Sequence, residues 1–357
     1  MNVSRRSFFQ AVAGVGGLSA LRAQVAGPNT PPLTFTQTPP PRSTVSIVKG
    51  DVRRKNVYDA LMAIDHEIKP AIQRKKYVVI KVNNVSTERQ LAATHADTLW
   101  GILDYLQPRY KMPVMIVESS AGDTMTGFRN FGYTKLVADK DARNVSLIDL
   151  NEEAKYQVIP LIDFDLHLQT VRLASRLMDQ DAFVINSAML KTHNAAVATL
   201  SVKNMVLGAP LHQAPKETPR WNDKRKYHVG VRQMHYNMLL TAQKMRPFWG
   251  ATILDGYEGM EGNGPSSGNP VASRIAIAST DFIAADRVGV ECMGINPAWP
   301  GYLNYCGQMG LGNYDIAKID VIGEKIADVQ KKYQMHADIE RELQWMGEMK
   351  DLPPKLG

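Results

Sequence analysis

Short apolar runs alternate with segments of helical spacing along most of this chain, and this alternation limits the folds open to it. Residues 77–82 and 114–118 have the length and the β-branched content of buried strands. Residues 96–106, between them, carry apolar side chains at helical intervals and are soon followed by Pro108. A strand, a helix and a second strand in this order favour parallel pairing of the two strands.

The same pattern continues to residue 323 and predicts an α/β fold. We expect a mainly parallel, Rossmann-like sheet with helices on both faces and inserted loops. Further strands are predicted at 44–48, 146–148, 157–159, 182–186, 251–256, 275–279 and 319–323. Further helices are predicted at 56–72, 172–178, 229–244, 281–293 and 324–349.

The first 26 residues have the features of a twin-arginine signal peptide. Arg5 and Arg6 precede Phe8 and Phe9, and a weakly apolar run rich in glycine and alanine follows. That run is shorter than the roughly 20 residues that a membrane-spanning helix needs. We expect the twin-arginine machinery to export the protein to the periplasm or cell envelope, with membrane anchoring if the signal is not cleaved. A basic amphipathic helix is the alternative.

The remaining chain divides by composition. Residues 27–43 are rich in proline and threonine and predict an extended linker. Residues 44–323 form the predicted α/β domain, with a basic insertion at about 211–228, and residues 324–357 form a charged helical tail. The insertion is either a solvated surface loop or a flap that closes over an acidic substrate.

Charge and cysteine content narrow the possible partners. The net charge of +7 falls to +4 when Arg5, Arg6 and Arg22 leave with the signal, and basic repeats with interleaved aromatics are absent. This argues against a nucleic-acid partner, and the remaining charge suits a small anionic partner or cell-envelope surroundings equally well. Cys292 and Cys306 form no CxxC motif, so this chain alone cannot build a four-cysteine iron–sulfur cluster. Whether the two cysteines form a disulfide stays open.

The strongest candidate site follows the predicted strand 182–186. Lys191 and His193 come just after this strand, and Lys203 and Asn204 begin the next segment. Ligands of open α/β sheets bind beyond the carboxyl ends of strands, and a desolvated lysine or a histidine suits proton transfer. We predict catalytic roles for Lys191 and His193 and substrate-binding roles for Lys203 and Asn204. The alternative is packing at a helix start.

A second strand end offers similar chemistry. Lys81 and Asn83 close the strand 77–82, where they could hold carboxylate or phosphate oxygens or simply form an exposed turn. His95 precedes the predicted helix 96–106 and Asp97 lies in its first turn, where they suit either a helix cap or two ligands of a metal.

An acidic, glycine-rich stretch follows the strand 251–256. Asp255, Glu258 and Glu261 alternate with glycines, and Asp286 follows later. The first three could pair with Lys191 and Lys203, bind a divalent cation or act as acid–base groups, and Asp286 is a further candidate metal ligand whose role stays open. A flexible acidic surface loop is the alternative. The phosphate-binding Gly-Lys-Ser/Thr, Gly-x-Ser-x-Gly and His-Glu-x-x-His motifs are absent.

Taken in order, these motifs resemble the family called domain of unknown function 362, over roughly residues 47–323. The resemblance implies an α/β body. Some members are joined to ferredoxin-like iron–sulfur modules, which implies redox work, although this chain lacks the cysteines. The matching segments are 79–83, Lys191-Thr192-His193, Lys203-Asn204 with Gly208, Asp255-Gly256, 261–265 with Gly268, Asp281 with Ala285-Asp286, and Gly310, Gly312 and Gly323.

Three functions are compatible with these observations. The first is an exported enzyme, with a possible redox link, that acts on a small anionic substrate. The second is a non-catalytic protein that binds a ligand or cofactor for a redox partner protein. The third is a structural role in the cell envelope. The third predicts no response to small molecules and a stable protein complex.

Overall fold

The computed structural model describes residues 39–139, 142, 144–213 and 217–348. The predicted signal peptide and most of the predicted linker lie outside these residues. The strands are β1 Ser43–Lys49, β2 Tyr77–Lys81, β3 Val114–Glu118, β4 Val145–Asp149, β5 Tyr156–Ile162, β6 Leu168–Ala174, β7 Ala182–His193, β8 Val197–Thr199, β9 Trp249–Glu261, β10 Asn269–Val271, β11 Ile275–Ser279 and β12 Ile319–Gly323.

Helices connect most of these strands. The α-helices are α1 Arg53–Ala63, α2 Asp65–Ile72, α3 Ala96–Leu106, α4 Thr124–Asn130, α5 Tyr133–Ala138, α6 Leu150–Glu153, α7 Ser201–Gly208, α8 Val231–Met245, α9 Phe282–Cys292, α10 Gly301–Gln308, α11 Ile326–Val329 and α12 Ile339–Glu342. Short 3₁₀ helices lie at Gln90–Ala92, Ser175–Met178, Asp223–Tyr227, Arg246–Phe248, Ile316–Lys318 and Leu343–Met346.

The central sheet is mostly parallel, as the sequence predicts. Its strand order is β12-β1-β11-β9-β7-β2-β3-β4, and β11 is antiparallel to both of its neighbours. Residues Val78 and Ile80 of β2 pack in one hydrophobic cluster with α1, α2 and α3. Val79 packs in the other cluster with α7, α8 and α9. Side chains alternate across a strand, so helices cover both faces of the sheet.

Two central strands extend beyond the rest of the sheet. β2 pairs with β7 only as far as Asn186, whereas β7 continues to His193 and stays paired with β9. β8 and β10 pair with the outer parts of β7 and β9. This four-stranded extension, residues 187–193, 197–199, 255–261 and 269–271, continues past the carboxyl end of β2.

Five elements differ from the predictions. The helix predicted at 56–72 breaks at Ile64, whose backbone is not helical. The helix predicted at 172–178 is wrong, because β6 pairs with β5 up to Ala174 and only one 3₁₀ turn follows. The predicted strands 182–186 and 251–256 are longer, because each pairs with the other beyond the sheet. A long helix in the tail is also wrong: residues 324–348 contain short turns around buried Tyr333 and Glu342.

The insertion packs against the domain. In its described residues, 211–213 and 217–228, Asp223 and Tyr227 are fully buried, and Asp223 accepts the backbone N–H of Arg172. Cys292 and Cys306 are both buried, free thiols. Among the described helices, none has the length and apolar content that a membrane crossing requires.

Candidate functional site

A buried ion pair forms the floor of the site, at the carboxyl ends of two adjacent strands. Lys81 ends β2 and Glu118 ends β3, and Lys81 Nζ lies 2.6 Å from Glu118 Oε1. Lys81 Nζ also donates to the carbonyl of Val82 at 2.6 Å and to Asn204 Oδ1 at 3.4 Å. Glu118 accepts the backbone N–H of Asn84. Since the three Lys81 protons all have acceptors, this lysine holds neighbouring groups in place and has no proton left to donate to a ligand.

The close approach of α7 to this ion pair requires a glycine. A Cβ on Gly208 would lie 2.5 Å from Lys81 Nζ and 2.6 Å from Lys81 Cε. Both atoms are held inside the protein, so a larger residue would displace the lysine from Glu118. The glycine at position 208 thus allows α7 to cover the ion pair.

The start of α7 is anchored by Asp286 of α9. The backbone N–H groups of Ser201 and Val202 donate to the Asp286 carboxylate at 2.6 and 3.0 Å. Asp286 is fully buried, and this burial raises the pKa of its carboxyl to about 7 against the opposing effect of these hydrogen bonds. Asp286 therefore fixes the first turn of α7, which carries Lys203 and Asn204.

The Asn204 amide joins α7 to the sheet. Its Nδ2 donates to Asn186 Oδ1 at 2.6 Å and to the carbonyl of Ser187 at 3.3 Å. Its Oδ1 accepts Asn83 Nδ2 at 2.8 Å, in addition to Lys81. Because each polar atom of Asn204 has a partner, the predicted substrate contact of this side chain becomes a positioning role.

β7 places Lys191 and His193 on one face of the extension, since they are two residues apart. Lys191 is fully buried, and its Nζ lies 3.3 Å from the carbonyl of Pro265 and 3.5 Å from that of Ala92. Burial and the charge of Lys203 lower its pKa well below the ordinary range of lysine. Lys191 forms no ion pair with a carboxylate among the described residues, so an anion that binds beside it would raise its pKa and favour its protonated form.

His193 is held as a neutral imidazole. Its Nδ1 accepts the backbone N–H groups of Ala195 and Ala196 at 3.1 and 3.2 Å, so the ring proton resides on Nε2. Burial and the neighbouring charge of Lys203 lower its pKa well below the ordinary value. A neutral imidazole with a protonated Nε2 can donate a hydrogen bond to a substrate oxygen.

The insertion contributes a further lysine to the same site. Lys224 is half-buried and donates to Ser119 Oγ at 2.9 Å and to the carbonyls of Leu207 and Gly208 at 3.2 and 3.4 Å. Burial, with the charges of nearby lysines, lowers its pKa to about 7. His228, also from the insertion, places its ring centroid 6.4 Å from that of His193.

Lys203 lies at the electrostatic centre of this group. It is 5% exposed, and its Nζ has no hydrogen bond or ion pair in the part of the chain that the structure describes. Burial, followed by the charge of Lys81, lowers its pKa to about 7. The charge of Lys203 in turn lowers the pKa values of Lys191, His193 and Lys224. We call Lys81, Lys191, Lys203 and Lys224 the lysine cluster.

Several buried polar atoms near the lysine cluster lack hydrogen-bond partners. They include acceptors as well as donors, so the site can match a ligand that bears both kinds of group. These atoms are Asn83 Oδ1, Asn84 Nδ2, Ser120 Oγ and Ser187 Oγ.

The acidic stretch does not join the lysine cluster. Asp255 lies inside β9 and accepts Thr98 Oγ1 at 2.5 Å, with Arg53 Nε at 3.4 Å. Glu258 is exposed, and Glu261 accepts the backbone N–H of Gln334. Contacts of these carboxylates with Lys191 or Lys203 are absent from the described part of the chain, so the predicted pairing is wrong. The reason is that β9 continues as a strand through the predicted loop.

The side chains predicted as possible metal ligands do not gather into one cluster among the described residues. Within the described ranges, no group of three or more His, Cys, Asp or Glu side chains converges as metal ligands would. His95 accepts the backbone N–H of Asp97 and thus caps α3, as one of the two interpretations of its sequence predicts.

A separate cavity of about 470 Å³ lies at the opposite edge of the sheet, where β1 and β9 begin. Its lining includes Arg42, Arg246, Trp249 and Phe282. None of the predicted site residues lines it, so the lysine cluster remains the chemical candidate.

Sequence reasoning missed two members of the site. Glu118 ends a predicted strand beside the strand of Lys81, and this adjacency was a usable signal. Lys224 lies in a basic insertion whose packing no local pattern reveals.

The fold and the site define an α/β protein with a cationic centre at the carboxyl edge of its sheet. The sequence model of the family described as domain of unknown function (DUF362) matches residues 78–291. The chain belongs to this family. The matched range contains the whole lysine cluster.

Similar proteins include a thylakoid-associated protein of Synechocystis sp., which is 32% identical over 130 residues. That match covers 36% of this chain and 37% of the relative, so the chain spans little more than a third of the curated relative.

Two solved structures resemble the fold. The lactate racemase apoprotein from Thermoanaerobacterium thermosaccharolyticum has a TM-score of 0.44 and 15% identity, covering 72% of this chain and 59% of its own. A protein from Thermotoga maritima has a TM-score of 0.41 and 8% identity, covering 62% and 55%.

Proposed function

We propose that this protein is an enzyme that binds a small anionic substrate at the lysine cluster. One observation carries the proposal: three buried lysines and the half-buried Lys224 lie close enough to affect one another's pKa values, and Lys203 lacks a partner among the described residues. Buried cations without counter-ions are costly for folding. A carboxylate or phosphate would offset that cost, because an opposite charge favours the protonated amine.

The roles of the side chains follow from their contacts. Lys203 and Lys191 hold the acidic group of the substrate, and Asn83 and Asn84 offer an amide acceptor and an amide donor. His193 donates from Nε2 and is the candidate for proton transfer. Lys81 pairs with Glu118 and keeps Asn204 and α7 in place.

Calorimetric titration with oxalate, pyruvate and inorganic phosphate tests the anion site. Lys203→Gln should weaken the affinity about 10- to 100-fold, the effect of losing a charge-assisted hydrogen bond. The affinity of the wild type should fall as the pH rises through about 7, where Lys203 loses its proton. Lys244→Gln, on the exposed surface of α8, is the matched control. Equal affinities of both variants and the wild type for each anion would contradict the proposal.

Catalysis is separated from binding by the fate of the ligand. Proton NMR of pyruvate during long incubation should show exchange of its methyl protons or conversion of the ligand, which His193→Ala abolishes while the protein stays folded. A ligand recovered unchanged would assign the protein to the binding class. An electron-acceptor dye in the same incubation tests the redox link that the family resemblance implies.

We also propose export by the twin-arginine pathway. Arg5 and Arg6, followed by Phe8 and Phe9, support it. Replacing both arginines by lysine should retain the protein in the cytoplasm, as cell fractionation would show. Unchanged export of this double variant would contradict the proposal.

A further inference from the structure

Lys203 differs from the other members of the lysine cluster in its hydrogen bonding. Lys81 and Lys224 each donate to three acceptors. Lys191 lies near two carbonyl oxygens. Lys203 Nζ has no such acceptor in the described ranges, although only 5% of the residue surface is exposed. Of the four lysine nitrogens in the cluster, that of Lys203 therefore has the fewest hydrogen-bond partners.

The surroundings of Lys203 favour a neutral amine. Burial removes water from the ammonium form, and the charge of Lys81 opposes a second positive charge nearby. With a pKa of about 7, roughly half of the Lys203 side chains carry a free lone pair at neutral pH. A free lysine amine is a nucleophile toward carbonyl carbon.

The neighbours supply the other requirements of carbonyl chemistry. Lys191 has no carboxylate partner in the described part of the chain, and an arriving carboxylate would raise its pKa and hold its proton. His193 carries its proton on Nε2 and can donate it to an oxygen that develops negative charge. The site thus combines a free amine, an anion-binding amine and a hydrogen-bond donor.

We propose that Lys203 forms an imine with the carbonyl carbon of a small 2-oxo acid. This inference rests on the proposed anion site. The Lys203 nitrogen attacks the carbonyl carbon, and the π electrons of the carbonyl move to its oxygen, which takes up a proton. The nitrogen loses a proton to give a carbinolamine. Loss of the hydroxyl with one more proton releases water and leaves the carbon–nitrogen double bond. Each step conserves the oxidation state.

Reductive trapping of the full chain tests the imine. The protein is incubated with pyruvate and sodium cyanoborohydride, digested and mapped by mass spectrometry. The Lys203 peptide should gain the mass of one pyruvate less one oxygen atom. With pyruvate at concentrations that saturate the site at every pH, the rate should increase as the pH rises through about 7. Acetone, which lacks the carboxylate, should react far more slowly. The exposed Lys244 provides an internal reference in the same digest.

The outcomes separate the two proposals. A modified Lys203 peptide, absent from a folded Lys203→Arg variant, supports the imine. Modification of Lys203 no faster than of Lys244 overturns it, and this comparison needs no variant. If pyruvate binds calorimetrically without trapping, the anion site stands and the imine fails. If pyruvate, oxalate and phosphate all fail to bind and trapping is also absent, both proposals fail.

Discussion

Replacing Glu118 by glutamine should destabilise the protein strongly, because it leaves Lys81 buried without its counter-ion. The two charged atoms are 2.6 Å apart, and both side chains are almost completely buried. Coulomb attraction at that distance, with an effective dielectric constant of about 20, is roughly 6 kcal/mol. Breaking one partner of a buried pair costs about 3–5 kcal/mol in measured cases. We expect a loss of that size in the free energy of unfolding near pH 7.

The loss should depend on pH in a defined direction. Burial already lowers the pKa of Lys81, and Glu118 raises it in opposition. Without the carboxylate this pKa falls further, so the folded variant binds fewer protons than its unfolded chain below the ordinary pKa of lysine. Its stability must then rise with pH more steeply than that of the wild type, by up to about 1.4 kcal/mol per pH unit.

Urea denaturation followed by tryptophan fluorescence, at about pH 6, 7 and 8.5, gives the required free energies. Glu258→Gln removes an exposed carboxylate and serves as the control. The double variant Lys81→Met/Glu118→Gln should recover most of the stability, because it leaves no unpaired charge. A Glu118→Gln variant within about 1 kcal/mol of the wild type, with the same pH dependence, would refute the reasoning.

Three further predictions concern the frame around the lysine cluster. Gly208→Ala should cost about 1–3 kcal/mol by urea denaturation, because its Cβ would meet Lys81 at 2.5 Å, whereas Gly347→Ala meets no close neighbour and should be neutral. In the wild type, the raised pKa of Asp286, about 7, should make the free energy of unfolding fall as the pH rises from about 4 to 7. Asp286→Asn should remove that pH dependence, and an unchanged dependence in urea denaturation would contradict the prediction. Glu342→Ala removes the acceptor of a backbone N–H in β8, so hydrogen exchange at residues 194–199 should accelerate, and unchanged exchange would count against this anchor.

Much of the site could be predicted because its residues end apolar runs. Lys81 follows a strand pattern that is local in the sequence, and parallel strands bring their carboxyl ends to one edge. The same logic placed Lys191 and Lys203 near each other. The spacing of apolar residues and the composition therefore predict a site residue when that residue lies at the end of a strand.

The wrong or missing predictions have one cause, namely contacts between residues that are distant in sequence. Residues 172–174 form a strand because β5 offers a pairing partner, which no helical spacing within the segment reveals. Asp255 lies in a strand rather than a loop because β7 and β9 remain paired beyond the sheet. Lys224 reaches the site through the packing of Asp223 and Tyr227. In each case the deciding partner is distant in sequence.

The central claim is that Lys203 is a desolvated amine among like charges, ready for an anion. Competitive acetylation of the native protein over a range of pH, read out by mass spectrometry, measures the pKa of each lysine directly. The expected result is a pKa of about 7 for Lys203 that rises when oxalate or phosphate is added. A Lys203 pKa near the usual lysine value of about 10.4, unchanged when either anion is added, would contradict the central claim.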